Sequence, residues 1–331
     1  MMRLPKFTYL VPRNIGEAVR MMGEAGPAGQ FVAGGTDLYP NMKRRQQTPR
    51  TVISVGRIPE LHRIEGDGES GLKIGAGVSL TEIVEHAIVK RDYPSLARAA
   101  RLISTPTLRN MGTIGGNLLL DTRCNYYNQN YEWRKGVNFC LKKDGDVCWV
   151  APGSEKCWAV QSADLVPLMV AVGARLRLVS TVGDRLVEAR GFYNDDGIEY
   201  LHKRPEELLT EIQLPPAAGW RAVYKKLRRR GAFDFPVLGV AARLDVEEGG
   251  KVLGARVVLG GVAPAPLEVE AAAQALVGRR LDEESMRAAA EACYLKARPL
   301  DNTDHLMNYR KQMARPFVMR ALRELAEGRR Q

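Results

Sequence analysis

Residues 15–25 carry apolar positions at helical spacing, and Gly26-Pro27 stops the helix they predict. A short apolar run at 30–33 predicts a strand. It runs into Gly34-Gly35-Thr36-Asp37, and 38–42 then reads as the first turn of a helix. Strands are expected at 52–55 and 72–76. Helices follow at about 80–89, with Ser79 or Thr81 as cap, and at 93–103. Periodicity returns at Ala163, with a helix at 165–171 and a strand at 174–179 paired across Gly183-Asp184 with 186–189. A helical turn at 205–209 leads into a strand at 210–214, and Pro215-Pro216-Ala217-Ala218-Gly219 reads as a linker. Beyond it, three strands near 221–228, 237–246 and 252–260 precede three helices near 267–278, 283–297 and 306–325, the order of an α+β unit.

Between these stretches, residues 123–158 show little period of either kind. The segment holds four of the five cysteines and three of the four tryptophans. So long a structureless stretch in a compact chain is usually functional, and something other than a hydrophobic core must hold it together.

The chain has 331 residues, 45% hydrophobic and 26% charged, enough for two or three domains with a large buried core. That excludes disorder, and the sparse cysteines exclude a disulfide-stapled module. The N-terminal apolar run is broken by Lys6 and Pro12 and does not read as a signal peptide. The uncharged run 165–174 is about half the length of a membrane span, so a cytoplasmic protein is expected. The net charge of +11 is dispersed; its densest clusters are Lys43-Arg44-Arg45 and Lys225-Lys226 with Arg228-Arg229-Arg230. Neither belongs to a nucleic-acid module, and a basic surface equally suits an anionic cofactor or an acidic partner.

Two glycine segments carry candidate chemistry. Val32-Ala33-Gly34-Gly35-Thr36-Asp37-Leu38 is a strand, a turn and a helix start, a sequence that forms a nest of backbone amides for anionic oxygens. It is neither a Walker A motif nor a GxGxxG fingerprint, and a plain helix-entry turn is the alternative. The second segment, Arg109 to Asn117, offers Gly112, Thr113, Gly115, Gly116 and Asn117. Two such nests suit a cofactor with a long diphosphate body.

Cys124, Cys140, Cys148 and Cys157 are spaced C-x15-C-x7-C-x8-C. Four thiols so concentrated point to a metal, either zinc or an iron–sulfur cluster. Close CxxC knuckles are absent, which favours the cluster. Arg123, Arg134, Lys135, Lys142, Lys143 and Lys156 would stabilise the thiolates, or form a solvated rim. Cys293, in an Ala- and Leu-rich helical run, is expected to be structural, and no motif gives His62, His86, His202 or His305 a role in proton chemistry.

VAGGTDL at 32–38 and RNMGTIGGN at 109–117 resemble the two FAD diphosphate segments of the flavin subunits of molybdenum hydroxylases, the xanthine dehydrogenase and carbon monoxide dehydrogenase group. The resemblance covers nearly the whole chain. It implies a vanillyl-alcohol-oxidase/PCMH-like α+β fold, with flavin subdomains at 1–55 and 56–214 and a C-terminal α+β domain at 215–331. It also implies flavin-proximal roles for Asp164 in ADLVP, for Leu209, and for Lys225 or Lys226. An insertion at 121–162 holding the four cysteines resembles that of the 4-hydroxybenzoyl-CoA reductases, where it carries a [4Fe–4S] cluster. Such enzymes pair this subunit with a molybdopterin large subunit and a small subunit bearing two [2Fe–2S] clusters, in an (αβγ)2 complex fed by ferredoxin. The resemblance implies no catalytic acid or base on this chain. Rival readings are the flavin subunit of an oxidising hydroxylase with a structural metal loop, and a zinc-stabilised basic binding protein.

Overall fold

The computed structural model describes residues 2–328. Its first layer is a parallel sheet of three strands in the order Thr8–Leu10, Thr51–Ser54, Gly29–Val32. Parallel strands need a crossover, and the helix Ile15–Ala25 supplies the one that joins the two outer strands. Asn14 caps it by accepting from the Glu17 N–H at 2.8 Å, and Ala18, Val19 and Met22 turn inward. The strand Thr8–Leu10 was not expected; three residues are too few to show a period.

The second layer is an antiparallel sheet in the order Ile64–Asp67, Gly71–Gly75, Leu208–Leu214, Arg175–Ser180, Gly183–Glu188. Leu72, Ile74, Leu176, Leu178, Ile212 and Leu214 form its inner face. The helix Leu165–Val172 is buried at every position. It can be apolar all round because it lies between this core and a third sheet.

That third sheet is antiparallel, in the order Leu267–Glu268, Val252–Gly260, Leu238–Val246, Trp220–Leu227. Side chains alternate between its faces. Tyr224, Ala241 and Val258 join the core around Leu165–Val172. Val223, Val240, Ala242, Leu244, Val257 and Leu259 pack instead with the helices Glu270–Leu276, Glu283–Lys296 and Ala314–Ala326. Burial on both faces explains why these strands read as continuous apolar runs. Cys293 is fully buried in this second core.

Several expectations need correction. The helix expected at 80–89 breaks at His86 into Leu80–Glu85 and Ala87–Asp92. No helix forms at 205–209; the chain turns there and the strand starts at Leu208. The 267–278 helix begins only at Glu270, after a short strand that extends the sheet to four. The helix expected at 306–325 splits at Met313 into Met307–Gln312 and Ala314–Ala326. Pro316 sits at the third position of the second piece, where its missing N–H costs nothing but its ring disfavours a continuous helix. Within 123–158 there is one helical element, Tyr131–Gly136, capped by Asn130.

Candidate functional site

The two glycine segments, separated by 70 residues in sequence, touch. A Cβ on Gly34 would lie 1.7 Å from the Met111 carbonyl oxygen, and one on Gly112 would lie 3.6 Å from Thr36 Oγ1. Gly35 has φ +70°, the left-handed conformation that folds the turn back on itself. Among the described residues, the amide N–H groups of Gly34, Gly35, Thr36 and Asp37 donate to no protein acceptor. Consecutive free donors around a left-handed glycine form an anion-binding nest. Val32 and Leu38 anchor its two ends in a small core with Met42 and Val52, while Ala33 packs toward Val55 and Ile58.

The second segment is organised differently. Ile114 N–H donates to Val78 O and Gly115 N–H to Ala76 O, both at 2.9 Å. Gly116 N–H is taken by Thr113 Oγ1 at 3.0 Å, and Asn117 Oδ1 accepts from Leu165 N–H at 3.2 Å. These groups fix the second segment against the sheet and against the helix Leu165–Val172, so that Met111 and Gly112 form a wall beside the free amides of the first.

Asp164, just before that helix, is 2% exposed. Its carboxylate accepts from Lys226 Nζ at 3.0 Å and from the Tyr224 hydroxyl at 3.0 Å. Burial pushes the Asp164 carboxyl up and the Lys226 ammonium down, and the attraction between them opposes both shifts. Strand alternation separates the two lysines left open by sequence. Lys226 points inward to Asp164 and to the Leu102 carbonyl at 3.1 Å, whereas Lys225 pairs with Glu324 on the helix Ala314–Ala326. Leu209 is buried in the main core opposite Leu178.

The cysteine loop closes at a two-bond bridge between Arg123 and Val160, with N···O distances of 2.9 and 2.8 Å. Cys124, Cys140, Cys148 and Cys157 are all buried free thiols. They form one electrostatically connected group: Cys124 senses Cys157 and Cys140, and Cys157 senses Cys148 and Cys140. Burial pushes the Cys124 thiol up to about 12 and the Cys157 thiol up to about 11. Opposing that, the Tyr126 and Tyr127 amides face Cys124, the Ala159 amide lies 3.4 Å from Cys157 Sγ, and Lys142 favours a thiolate at Cys157. Among the described residues, no three His, Cys, Asp or Glu side chains converge on a point that one metal ion would fill.

Buried polar contacts hold the loop to both neighbouring domains. Lys142 donates to Asp121 at 2.8 Å, and Asp121 accepts from Tyr127 at 2.8 Å and from Gln47 at 3.2 Å. Arg134, fully buried, donates to the carbonyls of Arg44 and Arg45 at 3.2 and 2.9 Å. On the other side, Asn302 donates to Trp158 O at 2.6 Å and its carbonyl accepts from Asn125 N–H at 2.8 Å. Arg123 Nη1 donates to Asp37 Oδ1 at 3.0 Å, and the Phe235 ring covers its guanidinium at 4.0 Å. Sequence reasoning missed Asp121, Asn302 and the Arg123–Asp37 pair. None has a local signature, because each partner lies far away along the chain.

A nest of free amides in a small parallel sheet, packed on an antiparallel sheet and followed by a second α+β unit, defines a chain built to hold an anionic ligand such as a diphosphate. Residues 5–217 match the family described as the FAD binding domain in molybdopterin dehydrogenase, and residues 222–325 match the CO dehydrogenase flavoprotein C-terminal domain. The chain is 32% identical to the carbon monoxide dehydrogenase medium chain of Hydrogenophaga pseudoflava, over 96% of each. It is also 32% identical to an aldehyde oxidoreductase FAD-binding subunit of Escherichia coli, over 93% of this chain and 96% of that one. The solved Hydrogenophaga carbon monoxide dehydrogenase superposes with a TM-score of 0.80, covering 97% of this chain and 98% of that one. The chain therefore belongs to the FAD-binding subunits of the molybdenum hydroxylase family, and it is an oxidoreductase subunit that binds FAD. This displaces the zinc-stabilised binding protein. No helix among the described residues is long and apolar enough to cross a membrane.

Proposed function

We propose that this chain is the electron-transferring flavin and iron–sulfur subunit of a molybdenum enzyme that reductively removes the phenolic hydroxyl of 4-hydroxybenzoyl-CoA. Its partners in this reading are a molybdopterin large subunit and a small subunit with two [2Fe–2S] clusters, and reduced ferredoxin supplies the electrons. The observation that carries the reading is the group of four buried thiols, which fits a cluster. Four buried thiols in one loop, with Cys124, Cys140 and Cys157 packed in one cluster, supply the number of thiolates that a [4Fe–4S] cluster takes.

The amides of Gly34 to Asp37 would hold the diphosphate, with Thr36 and Gly112 beside it, and the buried Asp164–Tyr224–Lys226 group would give the site a rigid polar support. FAD supplies a centre that exchanges electrons singly or in pairs, and the protein supplies position and electrostatics. Lys142 and the amides facing Cys124 and Cys157 favour thiolate at the cluster ligands, and the aromatic side chains of the loop limit water.

The test is iron, sulfide and flavin analysis of anaerobically purified protein, with an EPR spectrum after dithionite reduction. About four irons and four sulfides per FAD are expected, lost in Cys140→Ser or Cys148→Ser. One zinc and no iron would overturn the added-cluster reading. An oxidising hydroxylase with a structural metal loop would then lead, a reading favoured by the similarity to carbon monoxide and aldehyde enzymes.

A further inference from the structure

We propose that Arg123 is a positioning residue that couples the cysteine loop to flavin binding by neutralising Asp37 inside the diphosphate nest. The inference rests on the flavin and cysteine-centre readings above and adds a link between them.

Three observations converge on this pair. Asp37 contributes one of the four free amides of the nest, yet the same residue carries a carboxylate, a second acid group adjoining the place where an anion would bind. Its carboxylate is shared between Arg123 Nη1 at 3.0 Å and Asn41 Nδ2 at 2.8 Å, and Arg123 is its only cationic partner among the described residues. Arg123 in turn belongs to the neck of the loop. It forms both bonds of the bridge to Val160, and it immediately precedes Cys124. Its guanidinium is confined by the Phe235 ring on one face, so it reaches Asp37 only while the neck holds its shape.

The physical consequence is a linkage. With the neck ordered, Asp37 and Arg123 are together neutral and the amides face the diphosphate unopposed. With the neck disordered, an uncompensated carboxylate stands beside the diphosphate and repels it. Whatever orders Cys124 and Cys157 therefore tightens FAD binding, and bound FAD tightens the loop by the same factor. Coupling through one partly buried ion pair amounts to about tenfold in affinity.

The experiment measures FAD dissociation by flavin fluorescence on the full chain, before and after iron is removed with a chelator, with iron content assayed in parallel. In the native protein, iron removal should weaken FAD binding about tenfold. Arg123→Gln should weaken it by a similar factor and abolish the response to iron removal, whereas Arg123→Lys should restore part of the affinity. Asp37→Asn should make FAD binding indifferent to iron removal, and Arg123→Gln/Asp37→Asn should recover the affinity lost in Arg123→Gln. That recovery is the readout a general folding defect would not produce. Equal FAD affinity in native protein with and without iron, or failure of Asp37→Asn to rescue Arg123→Gln, would overturn the proposal. A chain that never binds iron fails the cysteine-centre reading instead, and the rescue pair still decides the role of Arg123. A chain that never binds FAD fails the flavin reading.

Discussion

Replacing Lys226 with methionine keeps the apolar stem and removes the ammonium from a site where both partners are nearly inaccessible, 1% exposed for Lys226 and 3% for Asp164. The Asp164 carboxylate then keeps one neutral donor, the Tyr224 hydroxyl at 3.0 Å. The Leu102 carbonyl suffers less, because Arg228 Nη1 still donates to it at 3.0 Å. Removing one partner of a buried pair leaves an uncompensated charge and costs about 3–5 kcal/mol. For a chain of 331 residues unfolding as a unit, that lowers Tm by roughly 6 °C. The loss should depend on pH with a definite sign. Burial already raises the folded-state pKa of Asp164, and losing Lys226 raises it further. Above the unfolded value near 3.9 the folded variant binds more protons than the unfolded chain, so its stability falls as pH rises through the raised folded pKa. The deficit against native protein should be larger at pH 8 than at pH 5.5. Urea denaturation at both pH values, with flavin release followed alongside, measures it. Lys226→Met/Asp164→Asn, which removes the stranded charge, should recover most of the stability. A double variant no more stable than Lys226→Met, or a deficit that grows as pH falls, would refute this account of the pair.

Gly34→Ala should give protein lacking FAD, because the new methyl would sit on a backbone oxygen that no side-chain rotation can move; the ratio of flavin to protein checks it. Gly136→Ala, which meets nothing within 4 Å, should retain full flavin and change stability by no more than about 1 kcal/mol. Arg310→Met removes a fully buried guanidinium that donates to the carbonyls of Val237, Leu300 and Gly261 and to Asn302 Oδ1. Charged hydrogen bonds contribute about 1.5–3 kcal/mol each, so at least about 4 kcal/mol should be lost in thermal unfolding. Because Asn302 also grips the cysteine loop at Trp158 and Asn125, labelling of the loop thiols should become faster in metal-stripped protein.

Much of the site was legible along the chain. Gly34-Gly35-Thr36-Asp37 sits between a strand and a helix, the local setting that leaves consecutive amides free, and that setting is written in adjacent residues. The cysteine concentration in 123–158 likewise marks a loop whose four thiols the fold buries. The helix break at His86 was not legible, because the apolar period continues across it, whereas Pro316 is a local signal for the break at Met313.

Local pattern alone thus determined most of the longer strands, the helix Ile15–Ala25, the glycine turns and the four thiols, since each depends on residues a few positions apart. Tertiary structure decided which groups remain available. It committed Gly115, Gly116 and Asn117 to internal hydrogen bonds, while leaving the amides from Gly34 to Asp37 free. It also turned Lys226 rather than Lys225 toward Asp164, and joined the loop neck to the nest through Arg123 and Asp37. The reason is that a polar group's role is set by the partner it finds once buried. For Asp37 and Arg123 that partner lies 86 residues away, beyond the reach of any periodicity.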